Sequence, residues 1–258
     1  MELGLGNRTA LVTGSHRGTG QIIAKHLLAE GCRVLVHGFT EEQATAAVAT
    51  LGAGSPVHFD PTSAAVAADL AQLTAAYTID ILINNYGNAD QGRWQQLETA
   101  DWYRAYEHNA LASVRLIDAL LPGMRERGWG RIINLGTVGS TRPNVARPHY
   151  YAAKGALANL TQSLAQAVAG SGVTVNLVSP GLIRTPEVEA ASIARAERRG
   201  EPTEWAAVEA ELAKDIPLGR ISTREDIADA VLFLASARAG GIHGLNLRLD
   251  GGQLGLVQ

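Results

Sequence analysis

Residues 149–157 read "HYYAAKGAL", with Tyr150 and Lys154 four positions apart. On a helix that spacing places both side chains on one face. A free phenol titrates near ~10, too high to accept a proton at neutral pH, and a neighbouring ammonium favours the phenolate. Such a pair suits a reaction in which an oxygen gains or loses a proton. Tyr151, three positions before Lys154, could reach the same lysine. The plain alternative is the first turn of an Ala-rich helix, and these nine residues alone do not decide.

A second stretch carries a different chemistry. "ALVTGSHRGTG" puts Thr13, Gly14, Gly18 and Gly20 directly after a strand-like run, and "QIIAKHLLAEG" continues as a helix. Glycines at a strand-to-helix turn permit a tight bend and close approach of a pyrophosphate, which the N–H groups of the helix N-terminus then face. The second strand ends in "VHGFTEE". His37, Gly38 and Phe39 occupy the turn, and the first carboxylate is Glu41. A carboxylate at that turn bonds the ribose of NAD, and a basic residue accommodates the 2′-phosphate of NADP. Its absence, with Arg17 in the glycine loop to pair with the phosphate and His37 to help, favours NADP(H), with NAD(H) as the alternative.

These groups need a scaffold that holds them at one edge. Short runs rich in β-branched residues alternate with longer Ala/Leu-rich runs. The strand candidates are "TALVTG" from Thr9, "RVLVHG" from Arg33, "PVHFD" from Pro56, "DILINN" from Asp80, "RIINLGT" from Arg131, "VTVNLVSPG" from Val173 and "LNLRLDGG" from Leu245. Several are apolar at successive positions, as strands covered on both faces should be. The pattern predicts an α/β fold: one domain over residues 1–258, a doubly wound, Rossmann-type parallel sheet of about seven strands with helices on both faces. Helix-like stretches include "TREDIADAVLFLAS", with Ser222 or Thr223 as the cap. Residues 186–215 break the rhythm: they are charged and helix-prone, with a Gly-Glu-Pro interruption, and follow a strand end where such sheets bind ligands. They are expected to form a helical lid or substrate lobe.

Composition sets the bounds. A net charge of −3 offers no general attraction to nucleic acid or anionic membranes, and 46% hydrophobic residues suffice for a buried core. Cys32 is the only cysteine, which excludes an intrachain disulfide or a zinc cluster and favours a reducing compartment. With no secretory signal and no long apolar run, the expected location is cytoplasmic.

Taken together these residues resemble the short-chain dehydrogenase/reductase family, of the 3-oxoacyl-acyl carrier protein reductase type, over nearly the whole chain. "TGSHRGTG" resembles its TGxxxGxG cofactor loop, which brings in Ser15 and Thr19. "NNYG", comprising Asn84, Asn85, Tyr86 and Gly87, resembles NNAG with Tyr86 replacing alanine. "YYAAK" contains YxxxK, "SPGLIRT" resembles the PGxxxT segment with Pro180, Gly181, Ile183 and Thr185, and "LRLDGG" resembles the closing strand and turn.

The resemblance implies hydride transfer between nicotinamide and a carbonyl or secondary alcohol. It selects Tyr150 over Tyr151 as the acid/base, and makes Lys154 the group that lowers its pKa and bonds the nicotinamide ribose. It places Asn109 on the long central helix, holding a water linked to Lys154, and puts Asp60, followed by Pro61, at the adenine. The family's catalytic serine falls at Thr137, whose hydroxyl has the same bonding capacity but whose methyl restricts it; Ser140 is the fallback. Tyr86 either narrows the cofactor pocket or points away. Asn88, Trp94, Gly139, Ser140, His149, Leu182, Ile183 and Trp205 are candidates for the substrate pocket. The family is commonly tetrameric, so a homotetramer is expected. The alternatives are an NAD-dependent sugar, polyol or small secondary-alcohol dehydrogenase, a lyase or epimerase using the cofactor transiently, and a non-catalytic dinucleotide-binding regulator.

Overall fold

Alternate residues along the central strands leave for opposite faces of the sheet, and both faces are apolar. Ala10, Val12, Val34, Val36, Ile81 and Ile83 join one buried cluster. Leu11, Leu35, Leu82, Ile132 and Val175 join another. A period of two with both faces covered leaves no polar position in register, which is why these segments read as unbroken apolar runs. The computed structural model describes residues 2–255.

The main sheet contains β1 (Thr9–Val12), β2 (Arg33–Gly38), β3 (Ser55–His58), β4 (Ile81–Asn84), β5 (Gly130–Leu135) and β6 (Val173–Pro180). A pair of two-residue strands follows, β7 (Ile183–Arg184) with β8 (Ser222–Thr223), and β9 (Asn246–Leu249) completes the main sheet. The order β3-β2-β1-β4-β5-β6-β9 is parallel throughout. All seven expected main-sheet strands are present: β2 has its expected extent, β3 and β5 begin one residue earlier, and the expected polar or glycine ends of the others turn out of the sheet. The β7–β8 pair was not expected, because two residues carry no periodicity.

The helices are α1 (Gly18–Ala29), α2 (Glu41–Leu51), α3 (Val66–Ala76), α4 (Thr99–Tyr106), α5 (Ala112–Glu126), α6 (Pro148–Ala167), α7 (Pro186–Arg199), α8 (Trp205–Ala213) and α9 (Arg224–Ala235). Helices α1 and α9 pack together over one face of the sheet, while α3, α5 and α6 cover the other. Helix α9 starts with a reciprocal cap. The Thr223 hydroxyl accepts the Asp226 N–H at 3.0 Å, and the Asp226 carboxylate accepts the Thr223 N–H at 2.8 Å.

Between α4 and α5 the helix does not stop. Over Glu107–Leu111 it widens by one residue per turn, so that the Ala112 N–H reaches the Glu107 carbonyl. Such single wide turns are frequent at functional sites. Residues 186–215 form a helical hairpin, α7 and α8, with Gly200 at φ 68° ending α7. The chain order reverses between β1 and β4, so their carboxyl ends flank an open crevice, the usual ligand position in such a sheet.

Candidate active site

The crevice floor is the glycine loop. Arg17 precedes α1 with extended backbone, and no side chain caps the helix. The N–H groups of its first turn, beginning at Gly18 and Thr19, are therefore left to face an anion. Gly20 has no room for a side chain: a Cβ there would stand 2.5 Å from Asn85 Nδ2 and 2.7 Å from the Gly14 carbonyl. Two polar side chains of this region serve the scaffold. The fully buried Thr13 hydroxyl accepts the N–H groups of Asn85 and Tyr86, both at 3.0 Å, fastening β1 to the turn after β4. Ser15 donates to the Val12 carbonyl at 2.7 Å and accepts the His37 N–H at 2.8 Å.

His37 corrects an expectation. It is fully buried. Its Nδ1 accepts the Gly14 N–H at 2.9 Å, which leaves Nε2 to donate to the Phe59 carbonyl at 2.9 Å. This is the neutral ring, and burial pushes its pKa down to about 4. His37 therefore cannot pair as a cation with a 2′-phosphate. Gly38 lies close against the start of α2, and Phe39 stands partly exposed at the end of β2, with its ring edge-on to His16 and Tyr86. Arg17 is exposed and remains the cation of this region.

Tyr86 stays on the rim. Its ring lies 5.1 Å from that of Phe39, and its hydroxyl pairs with His108 Nδ1. Burial pushes the phenol up to about 12, so the hydroxyl keeps its proton. Asn84 faces the other way, into a buried chain: its amide donates to Asn134 at 2.8 Å, and Asn134 donates to Thr161 at 2.8 Å. Asn85 donates to the Thr13 carbonyl at 2.9 Å. Asp60 is exposed and accepts both the N–H and the hydroxyl of Thr62 on one carboxylate oxygen. The Pro61 carbonyl accepts a bond from Arg115 at 3.2 Å.

The wide helical turn turns Asn109 inward, where it is 1% exposed. Its amide donates to the Asn88 carbonyl at 2.8 Å, and its oxygen accepts the Asn88 N–H at 3.1 Å. A Cβ on Gly87 would stand 2.6 Å from Asn109 Oδ1 and 3.1 Å from Lys154 Nζ, so all three converge. Lys154 is buried and donates to the Leu135 carbonyl at 2.7 Å; burial lowers its pKa to about 8. The half-buried Tyr150 phenol lies within hydrogen-bonding reach of Thr137. Burial pushes that phenol up to about 12, and Arg147 and Thr137 offset only part of the rise. The expected lowering by Lys154 is not seen: the groups that lower the phenol are Arg147 and Thr137.

Thr137 caps the short turn Val138–Ser140, accepting the Gly139 N–H at 3.2 Å. Ser140 is turned away, donating to the Thr137 carbonyl at 2.7 Å. Between Thr137 and Ser140, only Thr137 presents its hydroxyl to Tyr150. Both open into a cleft of about 920 Å³, whose other walls include Arg142, Arg147, Tyr151, Leu182, Asp215 and Gln253. Gly181, Ile183 and Thr185 also line it, and Thr185 caps α7 through the Val188 N–H at 3.2 Å. Pro180, at the end of β6, is buried just before them.

Other candidates fall elsewhere. His149 is 3% exposed and lies edge-on to Trp102. Trp94 is 67% exposed against Trp102, and Trp205 lies under the Arg184 guanidinium. Tyr151 was expected to pack or to form an interface. Its ring lies on Gly139, where a Cβ would be 2.1 Å away, and it forms part of the cleft wall. Arg142, Asn144, Arg147 and Gln253 were missed. The Pro- and Asn-rich segment "TRPNVARP" between a strand end and the Tyr150 helix was the available signal.

A dinucleotide-type crevice at the β1–β4 split, opening onto a helix that carries a paired tyrosine and lysine, is the arrangement of nicotinamide-dependent oxidoreductases. The chain belongs to the short-chain dehydrogenase/reductase family. Residues 14–253 match its model described as Enoyl-(Acyl carrier protein) reductase. The chain is 35% identical to 3-oxoacyl-[acyl-carrier-protein] reductase of Escherichia coli over 248 residues, covering 95% of this chain and 96% of that protein. Among solved structures, L-sorbose reductase from Gluconobacter frateurii, complexed with NADPH and L-sorbose, superposes with a TM-score of 0.92 at 28% identity over 100% of both chains. A gluconate 5-dehydrogenase from Burkholderia cenocepacia, in complex with NADP and tartrate, gives a TM-score of 0.88 at 30% identity, covering 99% of this chain and 98% of that one.

Proposed function

We propose that the protein is an NADP-preferring oxidoreductase that interconverts a carbonyl and a secondary alcohol, with Tyr150 as proton donor in reduction and acceptor in oxidation. The observation that carries this reading is the Thr137–Tyr150 pair at the mouth of the cleft, with Lys154 and Asn109 behind it. The cofactor supplies the hydride. The Gly139 N–H occupies one lone pair of the Thr137 oxygen, so its O–H remains free to donate to a substrate oxygen and stabilise developing charge. Tyr150, protonated at neutral pH, delivers the proton. Lys154 and Asn109 hold the groups through which that proton is replaced.

The residues present fit NADP. The uncapped first turn of α1 suits the pyrophosphate, no carboxylate stands at the end of β2, and Arg17 is exposed beside it. In this reading Lys154 bonds the nicotinamide ribose and Asp60 the adenine. L-Sorbose reductase and gluconate 5-dehydrogenase, the structural relatives named above, point to sugars and their oxidised derivatives as the substrate class. The alternative of an NAD-dependent polyol dehydrogenase uses the same pair. A panel of carbonyls and alcohols assayed with NADPH/NADP and NADH/NAD separates them: net NADPH consumption with a ketose supports the lead reading, and activity confined to NAD with a polyol supports the other.

The helical hairpin serves as the lobe over the substrate. Val188 and Asp215, near its two ends, both line the cleft, and hydrogen exchange should slow across 186–215 when NADP and substrate are added. We further infer a cytoplasmic homo-oligomer. Tyr103 and Leu111, on the α4–α5 helix, are 74% and 44% exposed, consistent with a face that packs against another copy. Light scattering tests it.

A further inference from the structure

We propose that the substrate is an acid, and that Arg142 and Arg147 hold its carboxylate while Tyr150 exchanges the proton with its carbonyl or hydroxyl oxygen. This rests on the oxidoreductase reading above and deepens it.

Both arginines lie on one wall of the cleft, on the segment joining the Thr137 turn to α6. That segment is pinned. Asn144 donates to the Tyr151 hydroxyl at 2.8 Å and accepts the Ala146 N–H at 2.9 Å. The Ala146 carbonyl accepts the Gly92 N–H at 3.0 Å. Beneath it the Tyr151 ring rests on Gly139. The two guanidiniums are therefore carried by a braced loop beside the proton donor, and Arg147 is close enough for Tyr150 to feel its charge.

Neither has an acidic partner among the described residues. Two guanidiniums around β7 and β8 are matched: Arg184 holds Glu189 at 2.9 Å, and Arg220 holds Asp226 at 2.5 Å. Two guanidiniums without an acidic partner leave positive charge along this stretch of the cleft, which a carboxylate offsets. Their planar forks suit its geometry; Arg147 is partly buried, which strengthens its bond, while Arg142 is exposed. Asp215 and Gln253 also line the cleft. They can bond hydroxyls, and the Asp215 charge disfavours a second negative group. A hydroxylated monocarboxylic acid satisfies both ends; a phosphate ester, with its greater charge, does not.

The test measures NADPH-dependent reduction of a short oxo acid, its methyl ester, a ketose of equal carbon number, a ketose phosphate and a 3-oxoacyl thioester on a carrier protein. The oxo acid should exceed its ester in kcat/KM by tenfold or more. Arg142→Gln and Arg147→Gln should each reduce that ratio about tenfold, mainly through KM, and the lysine variants should restore part of it. An ester or ketose used as well as the acid, a preference for the phosphate or carrier thioester, or a ratio unchanged in both glutamine variants overturns the proposal. A calorimetric titration of the NADP complex with butyrate, against butyramide, separates this from failure of the oxidoreductase reading. Butyrate binding that both glutamine variants weaken, with no carbonyl reduced, leaves the acid site standing and removes the redox reading. Absence of butyrate binding together with absence of turnover overturns both.

Discussion

Nδ1 of His37 accepts the backbone N–H of Gly14 at 2.9 Å, tying the end of β2 to the first bend of the glycine loop. The far side of the ring is held by the Phe59 carbonyl, so protonation of Nδ1 breaks the tie. The folded-state pKa is lowered by burial from 6.5 to about 4. The unfolded chain therefore binds the proton first as pH falls. The contribution of the neutral ring is present above pH 6.5 and is lost as pH drops towards 4, with a full linkage on the order of 3 kcal/mol. In urea unfolding, the stability gap between wild type and His37→Gln should narrow between pH 7 and pH 4.5. A gap independent of pH would mean that the ring is not the titrating group.

Tyr150→Phe removes the proton donor and little else. Turnover should fall by roughly 10²-fold or more while NADPH affinity, read by fluorescence titration, stays close to wild type. A variant that keeps most of its turnover would remove Tyr150 from the role.

Thr137 and Ser140 can be separated in the same assay. Thr137→Val should be as damaging as loss of one hydroxyl stabilising the developing charge, roughly 10²-fold, whereas Thr137→Ser should be mild. Ser140→Ala loses only the bond to the Thr137 carbonyl and should also be mild. A severe Ser140→Ala beside a mild Thr137→Val would reverse the assignment.

The phenol at about 12 sets the direction of the pH response. Reduction needs the protonated form, so the phenol imposes no loss on that direction through pH 9. Oxidation needs the phenolate, so its initial rate should climb with pH, approaching about tenfold per unit while the phenol limits it. A plateau in oxidation below pH 8 would show that the working pKa is far lower than burial alone dictates.

Tyr86 and His108 form a pair that a coupling measurement can isolate. Tyr86→Phe, His108→Ala and the double variant should show a stability coupling of about 0.5–1.5 kcal/mol, the worth of one partly buried hydrogen bond. Additive losses would mean that the ring contact with Phe39, rather than the hydroxyl, holds Tyr86 in place.

What was legible in the sequence, and what was not, follows from where the information sits. The seven main-sheet strands were readable because burial on both faces removes polar positions from the pattern. The Tyr150–Lys154 spacing was readable because a helix repeats regularly. His37 shows the opposite case: its position at a strand end is plain, but whether that position faces solvent depends on Gly14 and Phe59, which lie 23 and 22 residues away. Tyr151 was hidden for a related reason. Its direction is set by its ring resting on Gly139 and by one amide from Asn144, contacts that no periodicity encodes. Thr137 could be placed by motif ahead of Ser140, and the bond that turns Ser140 aside is the contact that no motif could give.

The wide turn at Glu107–Leu111 has a consequence for how this chain tolerates change. An extra residue in one turn rotates everything after it by about a hundred degrees, so two lengths of a single continuous rod keep separate bearings. One points Asn109 at Lys154, and the other keeps Leu116, Ile117 and Leu120 against the sheet. A one-residue deletion here would leave the rod almost as long and just as helical, but the two bearings could no longer both be met. The segment behaves as a phase adjuster, in which the count of residues matters more than their identity.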